Sequence, residues 1–330
     1  MLRVAVLGAG RIGRVHALNV SLNRNAHLVA VADPFGAAAE TLAGELGCEA
    51  SRDPVAVLAR KDVDAVIIGT PTDTHVALTL DAVRNGKAVL CEKPIDLDIA
   101  KVDAAVTEVE RLKGRVMVAF NRRFDPSAQA IRKAIDAGEI GDLRQVVITS
   151  RDPGLAPRGY LERSGGIFRD MTIHDFDMAR FLLGEEPVRV SATGSLLVDP
   201  TLAELNDFDS VMVNLQTASG RQCHINCCRA TSYGYDQRME VFGAGGMLLN
   251  ENLRPSTLRR WSASFTEARE PLLDFFMERY VDAYRIEFQY FRDAVVTGAP
   301  MPVTVRDGRQ ALRLADAALE SALTGRSVNV

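Results

Sequence analysis

Between residues 3 and 120, short unbroken apolar runs alternate with longer stretches whose apolar positions recur every three or four residues. The runs, at 3–7, 28–33, 64–69, 88–92 and 116–120, are predicted strands, and the periodic stretches, at about 11–22, 35–46, 53–60, 74–85 and 98–113, are predicted helices. Strands separated by helices must be joined by crossovers and so run parallel. A parallel sheet carries helices on both faces, which buries each strand on both sides and explains why the runs are continuous rather than alternating.

After about residue 140 the pattern changes. Leu143 to Ser150, Val188 to Val198, Ser210 to Thr217, Arg221 to Arg229 and Arg238 to Leu249 read as strands, mostly joined by turns such as Ser219-Gly220 and Gly243-Ala244-Gly245-Gly246. These features predict a large, mainly antiparallel sheet. Two long helices, at about 274–297 and 306–323, close the chain. The first carries Phe276, Tyr280, Tyr284 and Phe288 at steps of four, a stripe that marks packing far more often than a ligand site.

The first predicted strand runs straight into Gly8-Ala9-Gly10-Arg11-Ile12-Gly13, then a helix, then a second strand ending on Asp33. That order is the dinucleotide-binding fingerprint of a Rossmann domain. Gly8 permits the tight turn, Gly10 lets the backbone approach a pyrophosphate, and Gly13 lets helix and strand pack closely. The amides and dipole at the helix start hold the phosphates, and Arg11 and Ile12 lie within that contact. Asp33 accepts from the ribose hydroxyls and repels a 2'-phosphate, so the expected cofactor is NAD rather than NADP.

At 330 residues the chain predicts two domains, and its 47% hydrophobic content can fill two cores. The expected class is α/β: a Rossmann NAD-binding domain over 1–121, then an α+β domain over 122–330, with terminal helices able to pack back on the first domain. A net charge of -4 without a basic stripe argues against a nucleic-acid partner. No apolar run is long enough to cross a membrane, and the chain enters its first strand at once, so no signal peptide is expected. Five cysteines without framework spacing suit a reducing cytoplasm.

Two clusters need a decision. Cys223-His224-Ile225-Asn226-Cys227-Cys228 lies in a predicted strand, where Cys223 and Cys227 share one face and His224 and Cys228 the other. Four ligands cannot converge from that arrangement, and no metal is expected. In Ser164-Gly-Gly-Ile-Phe-Arg-Asp170-Met-Thr-Ile-His174-Asp-Phe-Asp177, Asp170 precedes His174 by four positions at a predicted helix start, so one helical face carries both. A carboxylate there can orient an imidazole and stabilise its protonated form, leaving the other ring nitrogen to take a proton from a substrate hydroxyl. Alone, such a pair is more often an ordinary helix start. The dinucleotide fingerprint upstream favours the acid/base reading.

Ligands of an open parallel sheet bind at the carboxyl ends of its strands, and three further segments lie there. Thr70-Pro71-Thr72-Asp73-Thr74-His75 follows the third strand, where Thr70, Pro71, Thr72 and His75 are candidate cofactor contacts and Thr74 a candidate helix cap. Glu92-Lys93-Pro94 ends the fourth strand and places an ammonium where a nicotinamide would lie. Asn121-Arg122-Arg123-Phe124 follows the fifth.

Together, the glycine fingerprint, Glu92-Lys93-Pro94, Asn121-Arg122-Arg123-Phe124 and the Gly165-Gly166 to Asp170-x-x-x-His174 segment resemble the glucose-fructose oxidoreductase/inositol dehydrogenase/rhizopine catabolism family over nearly the whole chain. Residues 169–181, with Tyr233-Gly-Tyr235-Asp-Gln-Arg238 downstream, are similar to the bacterial members that act on inositol. The resemblance implies NAD-dependent oxidation of myo-inositol at its axial hydroxyl to the 2-keto product, and a homotetramer built through the open sheets. It makes Lys93, Asp170 and His174 the catalytic residues, with Glu92, Lys93 and Arg123 also at the cofactor. Arg122, Asp152, Asp170, His174, Lys93 and either Tyr233 or Tyr235 become the candidates facing the small cyclitol substrate. Alternatives with the same motifs are a dehydrogenase of another cyclitol or aldose, such as scyllo-inositol or glucose, and a non-catalytic NAD-dependent regulator.

Overall fold

A computed structural model describes all residues from Met1 to Val330, which separate into two compact units: residues 1–124 with 282–312, and residues 125–281 with 313–330.

In the first unit, β1 (Leu2–Leu7), α1 (Arg11–Ser21), β2 (Ala26–Ala32), α2 (Gly36–Leu46), β3 (Glu49–Ser51), α3 (Pro54–Leu58), β4 (Ala65–Ile68), α4 (His75–Arg84), β5 (Ala88–Cys91), α5 (Ile99–Arg111) and β6 (Val116–Val118) follow one another. The six strands form one parallel sheet in the order β3-β2-β1-β4-β5-β6. Strand order therefore reverses between β1 and β4, and that switch point is where a doubly wound sheet opens its ligand crevice. Val4 to Leu7 and Ala65 to Ile68 are fully buried, as their unbroken apolar runs require. The expected strands and helices are all present. β3 was not expected; three residues pairing along the edge of β2 are too short and too polar to leave a periodic signal.

The second unit contains α6 (Pro126–Asp136), β7 (Leu143–Arg151), α7 (Arg158–Leu161), α8 (Ile167–Asp170), α9 (Ile173–Leu183), β8 (Pro187–Ser195), β9 (Ser210–Thr217), β10 (Gln222–Cys228), β11 (Asp236–Gly243), β12 (Met247–Asn250), the hairpin β13 (Arg259–Ser262) with β14 (Phe265–Arg269), and α10 (Phe276–Arg279). In chain order two long helices follow, α11 (Val281–Thr297), which belongs to the first unit from Asp282 on, and α12 (Val305–Thr324), which belongs to the second from Arg313 on, then β15 (Val328–Asn329). Seven strands make a mixed sheet in the order β12-β11-β7-β10-β9-β8-β15, antiparallel throughout except for β7 beside β10. On one face Val146, Ile148, Val213, Leu215 and Ile225 bury against Phe176, Leu182 and Leu183 of α9 and Leu314 and Ala318 of α12. The opposite face leaves Val147 and Met212 exposed.

Three expectations change in detail. Residues 238–249 fold as two strands, because Gly243 donates to the Gly246 carbonyl and closes a hairpin between β11 and β12. The predicted helix over 274–297 is interrupted at Tyr280, where α10 ends in non-helical geometry (ψ 22°), so the aromatic stripe is not one continuous helical face. Helix α6 was not expected, although Asp125 caps it by accepting from Ser127 and Ala128, with Pro126 in the first turn.

Candidate active site

The glycine turn expected to hold the phosphates lies in the first unit. Gly8 has φ +98°, and a Cβ there would lie 2.5 Å from the Gly69 carbonyl oxygen; a Cβ on Gly13 would lie 2.0 Å from the Gly8 carbonyl oxygen. Neither position can carry a side chain without moving the backbone. Gly10, by contrast, faces open space. It stands at the N-cap of α1 with no side-chain cap bond, which leaves the first-turn amides to a phosphate. Exposed Arg11 and half-buried Ile12 open that turn. Asp33 is fixed from two sides: Oδ2 accepts from the Ala9 amide at 2.8 Å and Oδ1 from the Phe35 amide at 2.9 Å. These residues fit a dinucleotide, with the cradle for the pyrophosphate and Asp33 for the adenosine ribose.

The segment after β4 starts with Thr70, whose hydroxyl lies 2.6 Å from that of Thr74; exposed Pro71 and half-buried Thr72 follow. Thr74 makes no side-chain cap bond to α4, so the expected cap is corrected: its hydroxyl donates instead to the Pro71 carbonyl at 2.7 Å. His75 is buried, and its two ring nitrogens each lie 2.8 Å from a carbonyl oxygen, those of Pro94 and Thr70. It thus ties the Thr70 loop to the segment that carries Lys93. Glu92 is buried at the end of β5; Oε1 lies 2.7 Å from His16 Nε2, and Oε2 accepts from the Lys93 amide at 3.2 Å. Beneath them Glu287 of α11 is wholly buried, and burial, with the Glu92 charge, holds its carboxyl well above the usual carboxylate range. Arg122 is buried, and Arg123 donates to Asp307 Oδ1 at 3.0 Å.

The segment expected to supply an acid/base pair lies in the second unit. The chain does not run as one helix from Asp170 to His174: α8 ends at Asp170 and α9 begins at Ile173, with the Thr172 amide turned back to Ile167 O. The single helical face expected for the pair is therefore corrected to two helix ends meeting at a bend. Half-buried His174 sits in the first turn of α9. The Asp170 carboxylate is gripped by residues far from it in sequence. Tyr160 Oη donates to Oδ1 at 2.6 Å and Arg229 Nη1 to Oδ2 at 3.2 Å. Half-buried Asp152 follows β7 directly.

The two tyrosine candidates part company. Tyr233 is 45% exposed; its hydroxyl donates to Asp236 and accepts from Arg151. Tyr235 is buried, edge-on to Phe275 and Tyr280. In β10 the cysteines alternate as the period of a strand requires, with Cys223 and Cys227 buried and His224 and Cys228 half-buried. No three His, Cys, Asp or Glu side chains are placed to hold a metal, and no helix is long and apolar enough to cross a membrane.

Residues 2–120 match the oxidoreductase family with an NAD-binding Rossmann fold, and residues 128–249 match the GFO/IDH/MocA C-terminal domain. The chain belongs to the glucose-fructose oxidoreductase/inositol dehydrogenase/rhizopine catabolism family. Within it, the chain is 53% identical to the inositol 2-dehydrogenase of Rhizobium meliloti over 99% of both chains. The solved myo-inositol dehydrogenase of Corynebacterium glutamicum superposes with a TM-score of 0.97 at 49% identity, covering 100% of this chain and 99% of that one. A Lactobacillus casei myo-inositol dehydrogenase, solved with NAD(H) and myo-inositol, gives a TM-score of 0.87 at 25% identity over 100% and 97% of the two chains. As a member of this family the chain is an NAD-dependent oxidoreductase. The sequence reading missed Tyr160, Arg229 and Asp207, which hold the acid/base segment; no local motif marks them, since each meets Asp170 or its neighbours only through the fold.

Proposed function

We propose that this chain is an inositol 2-dehydrogenase that oxidises the axial CH-OH of myo-inositol to the 2-keto product. The observation that carries the reading is the full-length 53% identity to a protein of that name, and the sequence motifs that contain Lys93, Asp170 and His174 support it. His174 takes the proton of the reacting hydroxyl, and Asp170 orients the imidazole and offsets its charge. Lys93 donates to the same oxygen and stabilises developing alkoxide character. Bound NAD supplies the hydride acceptor. Gly8, Gly10, Arg11, Ile12, Gly13, Asp33, Thr70, Pro71, Thr72 and Arg123 contribute to its site, with Glu92 and His75 supporting that site through Lys93 and Thr70.

Ring stereochemistry is read by Arg122, Asp152, Asp170 and a tyrosine of the 233–235 loop. Tyr233, exposed while the Tyr235 ring is packed against Phe275 and Tyr280, is the better candidate. An epimer leaves such groups unpaired, at about 1–3 kcal/mol for each buried one. The exposed apolar residues on the open face of the second sheet support a homotetramer assembled through that face. The lack of a membrane helix and the free cysteines support a cytoplasmic place in inositol breakdown.

The test is a panel of myo-inositol, scyllo-inositol, D-chiro-inositol, glucose and xylose, each with NAD, followed by NADH absorbance. Myo-inositol should rank first and glucose react weakly. Turnover of glucose or xylose without any of myo-inositol would reject the inositol assignment, and silence on every polyol would favour the regulator.

A further inference from the structure

Asp170 is held by more than its own helix. Arg229, next after β10, is almost wholly buried, and its guanidinium divides between two carboxylates: Nη1 donates to Asp170 Oδ2 at 3.2 Å and Nη2 to Asp207 Oδ2 at 3.3 Å. The other oxygen of Asp207 accepts from the Ile167 amide at 2.7 Å and the Phe208 amide at 2.8 Å. Asp207 thus grips the first residue of α8 while Arg229 grips the last. The fit at that start is tight: Gly166 has φ +83°, and a Cβ there would lie 2.9 Å from Asp207 Oδ1. From the solvent side Tyr160 donates to Asp170 Oδ1 at 2.6 Å. Burial works against the guanidinium charge, yet the two carboxylates outweigh it and hold the group above its ordinary value.

We propose that Arg229, with Tyr160, is a positioning residue for the reaction: the pair clamps the two oxygens of Asp170 and so fixes the carboxylate in the orientation from which it serves His174. The inference rests on the dehydrogenase reading above. An aspartate at the end of a four-residue helix has several rotamers open to it. A donor on each oxygen removes that freedom, and the bond from a buried arginine is the stronger of the two in charge and the more rigid in geometry. Proton transfer to His174 then starts from an arranged pair instead of one that must first be ordered.

The test uses Arg229→Lys, Arg229→Ala and Tyr160→Phe in the full-length chain, assayed with the preferred polyol of the panel and with that polyol deuterated at the reacting carbon. Thermal unfolding and NAD affinity serve as controls. Arg229→Ala should lower kcat about ten- to a hundredfold with NAD affinity within about twofold, and proton and hydride movement should become more rate-limiting, so the isotope effect on kcat should rise. Added guanidine at non-denaturing concentration should restore several-fold of the loss. Arg229→Lys should retain more activity than Arg229→Ala, and Tyr160→Phe should lose about three- to tenfold.

Arg229→Ala leaves two carboxylates beside each other without their cation, and that variant can fail to fold. The tyrosine variant removes one hydroxyl and keeps the proposal open to refutation. Folded variants with unaltered kcat, or a loss that neither guanidine nor lysine relieves, would overturn the clamp. Crystal structures of Tyr160→Phe and of any folded Arg229 variant separate this inference from the inositol reading. If a polyol other than myo-inositol reacts, the inositol reading falls alone; if no polyol reacts, the dehydrogenase reading falls and the positioning role with it; an Asp170 carboxylate that stays in place without either donor refutes the clamp.

Discussion

Replacing Asp33 with serine tests how this fold chooses its cofactor. The carboxylate cannot swing aside to admit an extra phosphate, because the Ala9 amide holds one oxygen and the Phe35 amide the other, at 2.8 and 2.9 Å. A 2'-phosphate carries nearly two negative charges. Two unit charges about 4 Å apart repel by about 1 kcal/mol in bulk water and about 4 kcal/mol near a protein surface, so the doubly charged group meets about 2–8 kcal/mol. NAD additionally gains hydrogen bonds from its ribose to a charged acceptor, about 1.5–3 kcal/mol. Even the lower ends sum to about 3.5 kcal/mol, a few hundredfold in kcat/KM at tenfold per 1.4 kcal/mol. Initial rates with NAD and NADP, read by absorbance of the reduced nicotinamide, should show that ratio or more. Asp33→Ser should cost NAD about ten- to a hundredfold and bring the two cofactors within about tenfold of each other. Equal use of both by the unaltered enzyme, or a serine variant with the original preference, would refute the reasoning.

Five further substitutions probe the rest of the molecule. His174→Ala and Lys93→Met should each lower kcat about a hundredfold or more with NAD affinity retained, measured by steady-state rates and calorimetric binding; near-normal rates in both would displace the assigned site. Gly13→Ala should abolish NAD binding or folding, since its Cβ would meet the Gly8 carbonyl oxygen at 2.0 Å, whereas Gly44→Ala in α2 meets nothing and should be neutral or stabilising by up to about 1 kcal/mol, both scored by thermal unfolding. Glu287→Gln should stabilise the protein above about pH 5. The native state keeps this carboxyl protonated while the unfolded chain ionises near 4.5, so the stability it contributes is complete below 4.5 and is lost as pH rises towards the higher native value. Unfolding temperatures with the same pH dependence in both proteins would contradict that.

Local spacing and period carry part of this molecule without any help from its fold. The parallel sheet was legible because strands buried on both faces are written as unbroken apolar runs, and the cofactor site because its glycines, helix start and Asp33 fall within one contiguous unit. Lys93, Asp170 and His174 stood out because the motifs around them are short and continuous. Tertiary structure alone decided how these groups are held. The break between α8 and α9 is recorded by no Asp-x-x-x-His spacing. Tyr160, Asp207 and Arg229 reach Asp170 or α8 from 10, 40 and 59 residues away. Tyr233 and Tyr235, two residues apart and equivalent as letters, were separated only when one ring found Phe275 and Tyr280 and the other found Arg151 and Asp236. Local order reflects the chain's own dihedral and hydrophobic preferences, but a side chain's partner depends on which distant segments the fold brings beside it.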